Sequence, residues 1–348
     1  MKIIKFTLLF LLSGLFTQIS AQDVHWSLYN MSPLTLNPAL TGGFLGTARV
    51  GGIYRDQAFN TTGTPGYTTP SFYADAPIVS IGKRDWLGIG AMFYADEAGS
   101  ASLTNLGAYA SVAYHKALDK KGNTVLSFGL QGGYLSRDVD IEDLRFGDEV
   151  LGELQTGTFM ANSLNTQDLA QSGAFDLNAG VTLTSRLSKQ TDLTLGLSFF
   201  HILSPDYSLD NSLTINTPKG ATDLPLAFKF HGEFNFQLND AWSLSPTFLY
   251  HQGHSFNQVQ VQAMVGYEIS DKEPIVIKLG PGYRLGDAVE VLLGVDYKAF
   301  RFGASYDITT SSLSDINNSQ GAFEFALTYV FKIFKAPTVK PVVICPRL

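Results

Sequence analysis

Apolar and polar side chains alternate with a period of two over most of this chain, and turn residues separate the alternating runs. In residues 322–332 the phenylalanines, Leu327 and Tyr329 share one parity, whereas small or polar residues occupy most of the other. Residues 228–237 and 300–308 alternate in the same way. Because successive side chains of a β-strand point to opposite faces, the pattern predicts an all-β fold whose strands have one apolar and one polar face.

Alternating strands of this kind occur in soluble sandwiches as well as in membrane barrels. Runs such as residues 322–332 exceed the ~5–6 residues of an ordinary globular strand and match the ~9–11 residues of a tilted membrane strand. The apolar parity is rich in Phe and Tyr, and Trp86 and Trp242 begin runs, where an interfacial girdle would need them. We therefore expect a transmembrane antiparallel β-barrel.

The runs predict about fourteen strands, an even number as in bacterial single-chain barrels. Connections of even rank are short, whereas several of odd rank are long, above all 136–171 and 204–223. This asymmetry predicts short periplasmic turns, long extracellular loops and both termini in the periplasm. The predicted strands are 45–56, 69–77, 86–96, 102–115, 123–135, 172–186, 191–203, 224–237, 241–251, 256–270, 274–284, 287–297, 299–309 and 321–332.

The first residues predict export to the cell outer membrane. Lys2 and Lys5 precede an apolar run over residues 6–16, and small and polar residues follow up to Ala21. This is the composition of a signal peptide cleaved near Ala21/Gln22. The expected organisation is a signal peptide over 1–21, a periplasmic N-terminal segment over 22–44, the barrel over 45–332 and a periplasmic C-terminal tail over 333–348.

The net charge of −7 is concentrated in residues 136–170, which hold eight acidic and two basic residues. This balance argues against nucleic acid as a partner, because phosphate binding needs a basic surface. The single cysteine, Cys345, cannot form an internal disulfide, and we expect it to be passive.

No motif of known catalytic or cofactor chemistry occurs in the sequence. Walker, dinucleotide-binding, HExxH, CxxC and GxSxG patterns are all missing. His251 and His254 have no third ligand nearby in sequence, and Asp138, Asp140 and Glu142 lack the glycine and the closing glutamate of a calcium loop. We expect no enzyme, no metal and no cofactor, although a hydrolase assembled from separate strands would leave no local motif.

Charged residues of both signs share the inward parity of the strands. Such charges should form ion pairs, because an unpaired charge in a confined lumen is costly. A lumen with paired charges of both signs is more easily filled by protein groups than kept open to water. This argues against a general porin, whose channel must stay wet. The candidate lumen charges are Lys229, Glu233, Glu268, Lys278, Arg284, Glu290, Asp296, Arg301, Asp307 and Glu324.

Several ordered motifs run through the whole mature chain: QDVHW at 22–26, NPALTG at 37–42, YRDQ at 54–57, GYRLGD at 282–287 and SYDI at 305–308. Together they resemble the PorP/SprF family of type IX secretion outer-membrane proteins. The resemblance implies an outer-membrane barrel that works with the type IX secretion and gliding apparatus. It also implies that the barrel serves export or surface attachment of a large adhesin, without catalysis or a cofactor.

Two functional hypotheses follow. The first is a secretion component whose partners are outer-membrane lipid, periplasmic secretion or gliding proteins and a secreted surface adhesin. The second is a passive or substrate-specific channel, similar to a porin or a fatty-acid transporter. Apolar residues outside the strands must either fill the lumen or meet a partner, and we expect a periplasmic contact surface at 22–42 and 335–348. Its candidate residues are Trp26, Leu28, Tyr29, Asn37, Pro38, Ile344, Pro346 and Arg347.

Overall fold

Fourteen antiparallel strands close into one barrel in the computed structural model of this chain, in simple chain order, with β14 paired to β1. The predicted all-β barrel and its strand number are confirmed. The structure describes residues 24–57, 66–99, 103–138, 171–206, 223–253, 256–269, 275–312, 314 and 318–332.

The strand bounds lie close to the predicted ones. The strands are β1 (Ala48–Gln57), β2 (Tyr67–Ile81), β3 (Asp85–Ala98), β4 (Leu103–Ala117), β5 (Thr124–Asp138), β6 (Gln171–Arg186), β7 (Thr191–Phe200), β8 (Ala227–Gln237), β9 (Trp242–Gln252), β10 (Asn257–Glu268), β11 (Ile275–Arg284), β12 (Ala288–Tyr297), β13 (Phe300–Thr309) and β14 (Gln320–Phe331). β2 continues past its predicted end at Pro77 because a bulge between Pro77 and Val79 accommodates the proline.

The two faces of the wall differ as the alternation predicts. In β12, Glu290 and Leu292 are fully buried on the lumen side, whereas Val291 and Leu293 are exposed on the outer side. Opposite residues of neighbouring strands face the same way, and Glu290 pairs in register with Asp307 of β13. The outer face is therefore apolar and the inner face polar.

The two ends of the barrel carry different connections. At one end, here called the short-turn end, the strands are joined by 82–84, 118–123, 187–190, 238–241, 269–274 and 298–299. At the opposite, long-loop end lie 58–66, 99–102, 139–170, 201–226, 253–256, 285–287 and 310–319. The rule for bacterial barrels assigns the short-turn end to the periplasm. The predicted signal peptide, the loop 139–170 and the tail 333–348 lie outside the described residues.

The N-terminal segment lies inside the barrel, which corrects the expectation of a periplasmic segment for residues 24–44. This segment, here called the plug, contains three short helical turns, Tyr29–Met31, Pro33–Leu36 and Pro38–Leu40. Its apolar side chains form the hydrophobic core together with lumen residues of the wall, such as Leu292 and Tyr109. None of the helices among the described residues is long and apolar enough to cross a membrane.

Candidate functional site

The plug runs along the lumen from the long-loop end to the short-turn end. Ser27 lies beside residues near the long-loop ends of their strands, Arg55, Arg284 and Asp307. Gly42 lies beside Asp75, close to the short-turn end. The chain then turns into β1. Both termini were predicted in the periplasm, but the first described residues lie at the long-loop end.

Ser27 is held by charged groups from four strands. Its backbone N–H donates to Glu324 Oε1 at 2.7 Å, and the N–H of Leu28 donates to Oε2 at 2.7 Å. Its hydroxyl donates to Asp307 Oδ1 at 2.7 Å and accepts from Arg284 Nη2 at 2.6 Å. The carboxylate of Glu324 thus binds two plug N–H groups at once.

The groups around Ser27 also pair with one another. Arg55 bridges Asp307, at 3.0 Å, and Glu324. Arg284 pairs with Glu290 at 2.9 Å and with Asp307 at 3.1 Å. The five side chains form a buried ionic cluster, in which every acid has at least one cationic partner. Buried charges require this kind of compensation, because the desolvation cost of each ion is large.

Lumen side chains also bind carbonyl groups of the middle of the plug. Gln131 donates to Leu34 O at 3.2 Å, Lys229 Nζ to Thr35 O at 3.0 Å, and Ser198 Oγ to Leu36 O at 2.8 Å. Short helical turns leave most of their carbonyls without an internal partner, and in a water-poor lumen these must find donors elsewhere. Lys229, predicted as a lumen charge, therefore acts as a donor to the plug.

Asn37 fixes the turn that follows. Its side-chain Oδ1 accepts from the Ala39 N–H at 2.9 Å, which caps the next helical turn. Its Nδ2 lies 3.2 Å from His231 Nε2 and donates to Val181 O at 3.2 Å. Asn37 and Pro38 were expected to meet a partner protein, but Asn37 is fully buried and both residues contact the barrel wall.

A second ion pair holds the plug at the short-turn end. Arg49 binds Asp75 through Nε at 2.9 Å and Nη2 at 2.7 Å, and Asp75 Oδ2 also accepts from the Gly42 N–H at 2.7 Å. Trp86 Nε1 donates to Gly42 O at 2.9 Å, and its ring stacks on His115 with 4.4 Å between centroids. His115 Nε2 lies 2.8 Å from Thr41 O, which can only accept.

Glycines of the wall let the plug backbone approach closely. A Cβ on Gly129 would lie 2.2 Å from the carbonyl carbon of Pro38, and a Cβ on Gly180 would lie 2.0 Å from Asn37 Oδ1. Neither distance is sterically possible, so these positions need glycine while the plug is in place. The wall of β5 and β6 is therefore shaped to the plug.

Five predicted lumen charges lie towards the short-turn ends of their strands: Glu233, Glu268, Lys278, Asp296 and Arg301. Asp296 pairs with Lys278 at 2.7 Å and with Arg301 at 3.1 Å, and Glu233 accepts from Asn235 at 2.8 Å. Near them is a cavity of about 290 Å³, here called the vestibule, which lies between the short-turn ends of β7 to β12. It is lined by Lys189, Gln190, Asp192, Asn235, Phe236, Gln237, Ala241, Ser243, Ser245, Glu268, Val276, Lys278 and Asp296.

Trp26, Leu28 and Tyr29, which were expected on a periplasmic contact surface, are instead buried against the lumen wall. Tyr29 Oη donates to Thr247 at 2.8 Å. Among the described residues, no group of three or more His, Cys, Asp or Glu side chains is placed to hold a metal ion. His254, Asp140, Glu142, Ile344, Cys345, Pro346 and Arg347 lie outside the described residues.

Four lumen residues were not predicted from the sequence: Ser27, Arg49, Asp75 and His115. Arg49 and Arg55 share a parity in β1 and could have been assigned to the lumen by the same rule that identified Arg301. Ser27 has no sequence signal of its own, since its partners come from strands far along the chain. Its importance is visible only in three dimensions.

Comparisons with known proteins give one family match and several solved barrels of low similarity. The family model described as type IX secretion system membrane protein PorP/SprF matches residues 18–329. A search of curated proteins finds no match. Solved barrels with a similar course include the Ralstonia pickettii toluene transporter TbuX, at 11% identity, TM-score 0.48, and coverage of 85% of this chain and 92% of that chain.

Two further solved barrels are similar at the same low level. The CymD monoaromatic hydrocarbon channel has 10% identity, TM-score 0.48, and coverage of 87% and 93%. A Pseudomonas aeruginosa FadL homologue has 13% identity, TM-score 0.42, and coverage of 85% and 93%. Identities this low carry no information on what is bound or transported. The match of the family model spans most of the sequence, and the chain therefore belongs to the PorP/SprF family of type IX secretion system membrane proteins.

Proposed function

We propose that this outer-membrane protein is a non-conducting, non-enzymatic component of the type IX secretion and gliding machinery that supports export or surface attachment of a large adhesin-type protein. The observation that carries the proposal is the plugged lumen. Glu324 and Asp307 bind Ser27 directly, and both acids are almost completely buried. A general porin keeps an aqueous channel along its axis, whereas this lumen is occupied by a buried segment of the chain.

Energetics support a plug that stays in place. Withdrawing the start of the plug would remove the hydrogen bonds from Ser27 and Leu28 to Glu324, and those between Ser27 and Asp307 or Arg284, so that the buried charges would keep only their partners in the wall. Leaving a buried polar group unsatisfied costs about 1–3 kcal/mol, and more for a charged group. The buried apolar side chains of Trp26 and Leu34 would also become exposed. The plug is therefore part of the folded barrel.

With the lumen filled, the outer surfaces must make the functional contacts. The apolar wall meets membrane lipid. The short-turn end, with the vestibule, is the surface available to periplasmic secretion or gliding proteins, and the sequence predicts that the tail 333–348 adds to it. We keep Ile344, Pro346 and Arg347 as candidate contact residues there. The long-loop end, which includes the acidic residues of 139–170, is the surface available to the exported adhesin.

A gene deletion with matched complementation tests the proposal. The deletion strain should lose surface display of one large secreted protein, and adhesion or gliding with it, while uptake of small solutes stays unchanged. Wild-type protein should restore display, whereas a chain truncated after Lys335 should insert into the membrane without restoring it. Loss of solute uptake with normal surface display would contradict the proposal. Full rescue by the truncated chain would move the partner contact away from the tail.

The vestibule favours a second candidate function, a substrate-specific channel. Its polar lining and volume of about 290 Å³ would suit a small polar solute waiting below a movable plug. Purified protein in planar bilayers separates the two candidates. Steady conductance, or conductance induced by a solute, would favour the channel.

A further inference from the structure

Exposed aliphatic residues end the outer face of the wall at the short-turn end. Strands β2, β4, β6, β8 and β10 each have one outward-facing aliphatic residue at this end. It is the last residue of β2, and the first residue after each of the other four strands. These residues are exposed by 40–58%, and all lie on the outer face by parity. They are Ile81, Leu118, Leu187, Leu238 and Ile269.

Basic residues follow these aliphatic residues at a constant spacing in three consecutive turns. Lys83 comes two positions after Ile81, Lys120 two positions after Leu118, and Lys189 two positions after Leu187. Arg84 and Lys121 extend the first two turns, and all five cations are exposed. We call these five side chains the basic rim.

The geometry of the barrel brings the basic rim into one arc. Turns joining β2 to β3, β4 to β5 and β6 to β7 are successive turns of the barrel, each two strands from the next. Two strand spacings are about 10 Å, so the three turns span roughly 20 Å. The next two turns along the rim carry Asp240 and Asp271 at the position of the lysine.

The rim cations have no anionic partner in the described part of the chain. Lys116, close to the same turns, pairs with Asp85 at 2.7 Å, but none of the five rim cations forms an ion pair with a described residue. The carboxylate of Asp119 is turned towards its own turn and accepts from the backbone N–H groups of Thr124, at 2.9 Å, and Lys121, at 3.2 Å. The hydrogen bond from Thr124 lowers the pKa of Asp119.

We propose that the basic rim is a binding surface for the headgroups of anionic phospholipids in the periplasmic leaflet. Two or three positions of chain separate each cation from the exposed aliphatic residue before it, which fits a position at headgroup depth. The outer wall below the rim presents Ile89, Val112 and Phe128 to the acyl chains, with exposures of 46%, 43% and 51%. The three basic turns, 82–84, 118–123 and 187–190, are short and keep their cations close to the end of the wall. This inference is independent of the secretion function proposed above.

Lipid selectivity measured on the full chain tests the inference. The purified protein is placed in phosphatidylcholine vesicles, and the association of spin-labelled phosphatidylglycerol is compared with that of spin-labelled phosphatidylcholine. The wild type should prefer phosphatidylglycerol about fivefold at low salt, and less at high salt, as expected for a few cations at headgroup depth. The variant K83Q/R84Q/K120Q/K121Q should lose most of this preference.

A gain-of-charge variant is the matched control. Asp240→Lys adds a cation to a neighbouring turn that lacks one, and it should raise the preference above that of the wild type. Equal heat-modifiable gel mobility of all three proteins confirms that each barrel is folded. The inference is overturned if the wild type shows no preference, or if the quadruple variant keeps the wild-type ratio. If the quadruple variant keeps the wild-type ratio and also loses co-purifying proteins, the rim binds protein and not lipid.

Discussion

Ser27 and Glu324 are separated by 297 positions in sequence, yet the backbone N–H of Ser27 donates to Glu324 Oε1 at 2.7 Å. The contact joins the start of the plug to the last strand, so it can form only when the barrel is closed. Glu324 itself is inaccessible to solvent. A carboxylate that binds two backbone N–H groups and an arginine is a strong anchor, because each interaction is charge-assisted.

Glu324→Gln should destabilise the barrel, because it leaves Arg55 with one fewer anionic partner inside the lumen. Removing one member of a buried ion pair typically costs about 3–5 kcal/mol. The midpoint of the heat-modifiable gel transition should fall clearly. Asp287→Asn is the matched control, since its carboxylate also pairs with an arginine, at 3.0 Å, but is 45% exposed. Equal midpoints for both variants would show that Ser27 and Arg55 do not depend on this carboxylate.

Gly129→Ala should displace the plug locally, because the added Cβ would lie 2.2 Å from the carbonyl carbon of Pro38. Gly132→Ala in the same strand is the control, since its Cβ would meet nothing closer than 4.0 Å. Both changes are made with Ser32→Cys as a reporter, in a chain whose Cys345 is replaced by serine. The buried reporter should react with a thiol reagent in the first variant only. Equal reactivity would mean that the plug does not need this close approach.

The strands could be predicted from sequence because their signal is local. The period of two gives both the position of a strand and the face on which a charge such as Glu290 lies. A positive φ of 56° at His201 ends β7 at Phe200, three residues before its predicted end, and no alternation pattern reports that conformation.

The position of the plug could not be predicted in the same way. The apolar residues of the plug have no regular period. The side chains that donate to its carbonyl groups, such as Gln131 and Ser198, lie in strands distant in sequence. The sequence therefore indicated that these residues needed burial without indicating where. Burial in the lumen and burial against a partner protein would both remove these apolar side chains from water. Only the contacts in the lumen show which of the two occurs.

Removing the plug should open the lumen. Deletion of residues 24–41 from the mature chain eliminates the contacts of Ser27, Leu34 and Asn37 while keeping Gly42 and the start of β1. Planar bilayers should show steady conductance for this variant and none for the wild type. A chain truncated after Lys335 is the control, because it shortens the protein without touching the plug, and it should remain closed. Equal conductance of the deletion variant and the wild type would contradict a plug that seals the barrel.

Charge on the outer wall should be far more costly than charge in the vestibule. Leu293 lies near the middle of β12 on the outer face, with 39% exposure. Arginine at the bilayer midplane costs about 2–4 kcal/mol, so Leu293→Arg should reduce membrane yield strongly. Ser243→Arg is the control, because Ser243 lines a cavity of about 290 Å³ with polar walls. Equal yields of folded protein would argue that the outer face does not meet lipid.

The orientation of the barrel decides which compartment meets the start of the plug. β1 begins at the short-turn end, and the plug runs back from there to the long-loop end, where Ser27 joins the ionic cluster. If the short turns face the periplasm, residues 24–27 lie at the outer end of the lumen. Thr310→Cys, at the long-loop end, should then react with a membrane-impermeant thiol reagent on whole cells, whereas Lys120→Cys should react only after the outer membrane is opened. Cys345 is replaced by serine in both chains. The reverse labelling pattern would place the ionic cluster at the periplasmic end, and the surfaces assigned to the adhesin and to the periplasmic machinery would have to be exchanged.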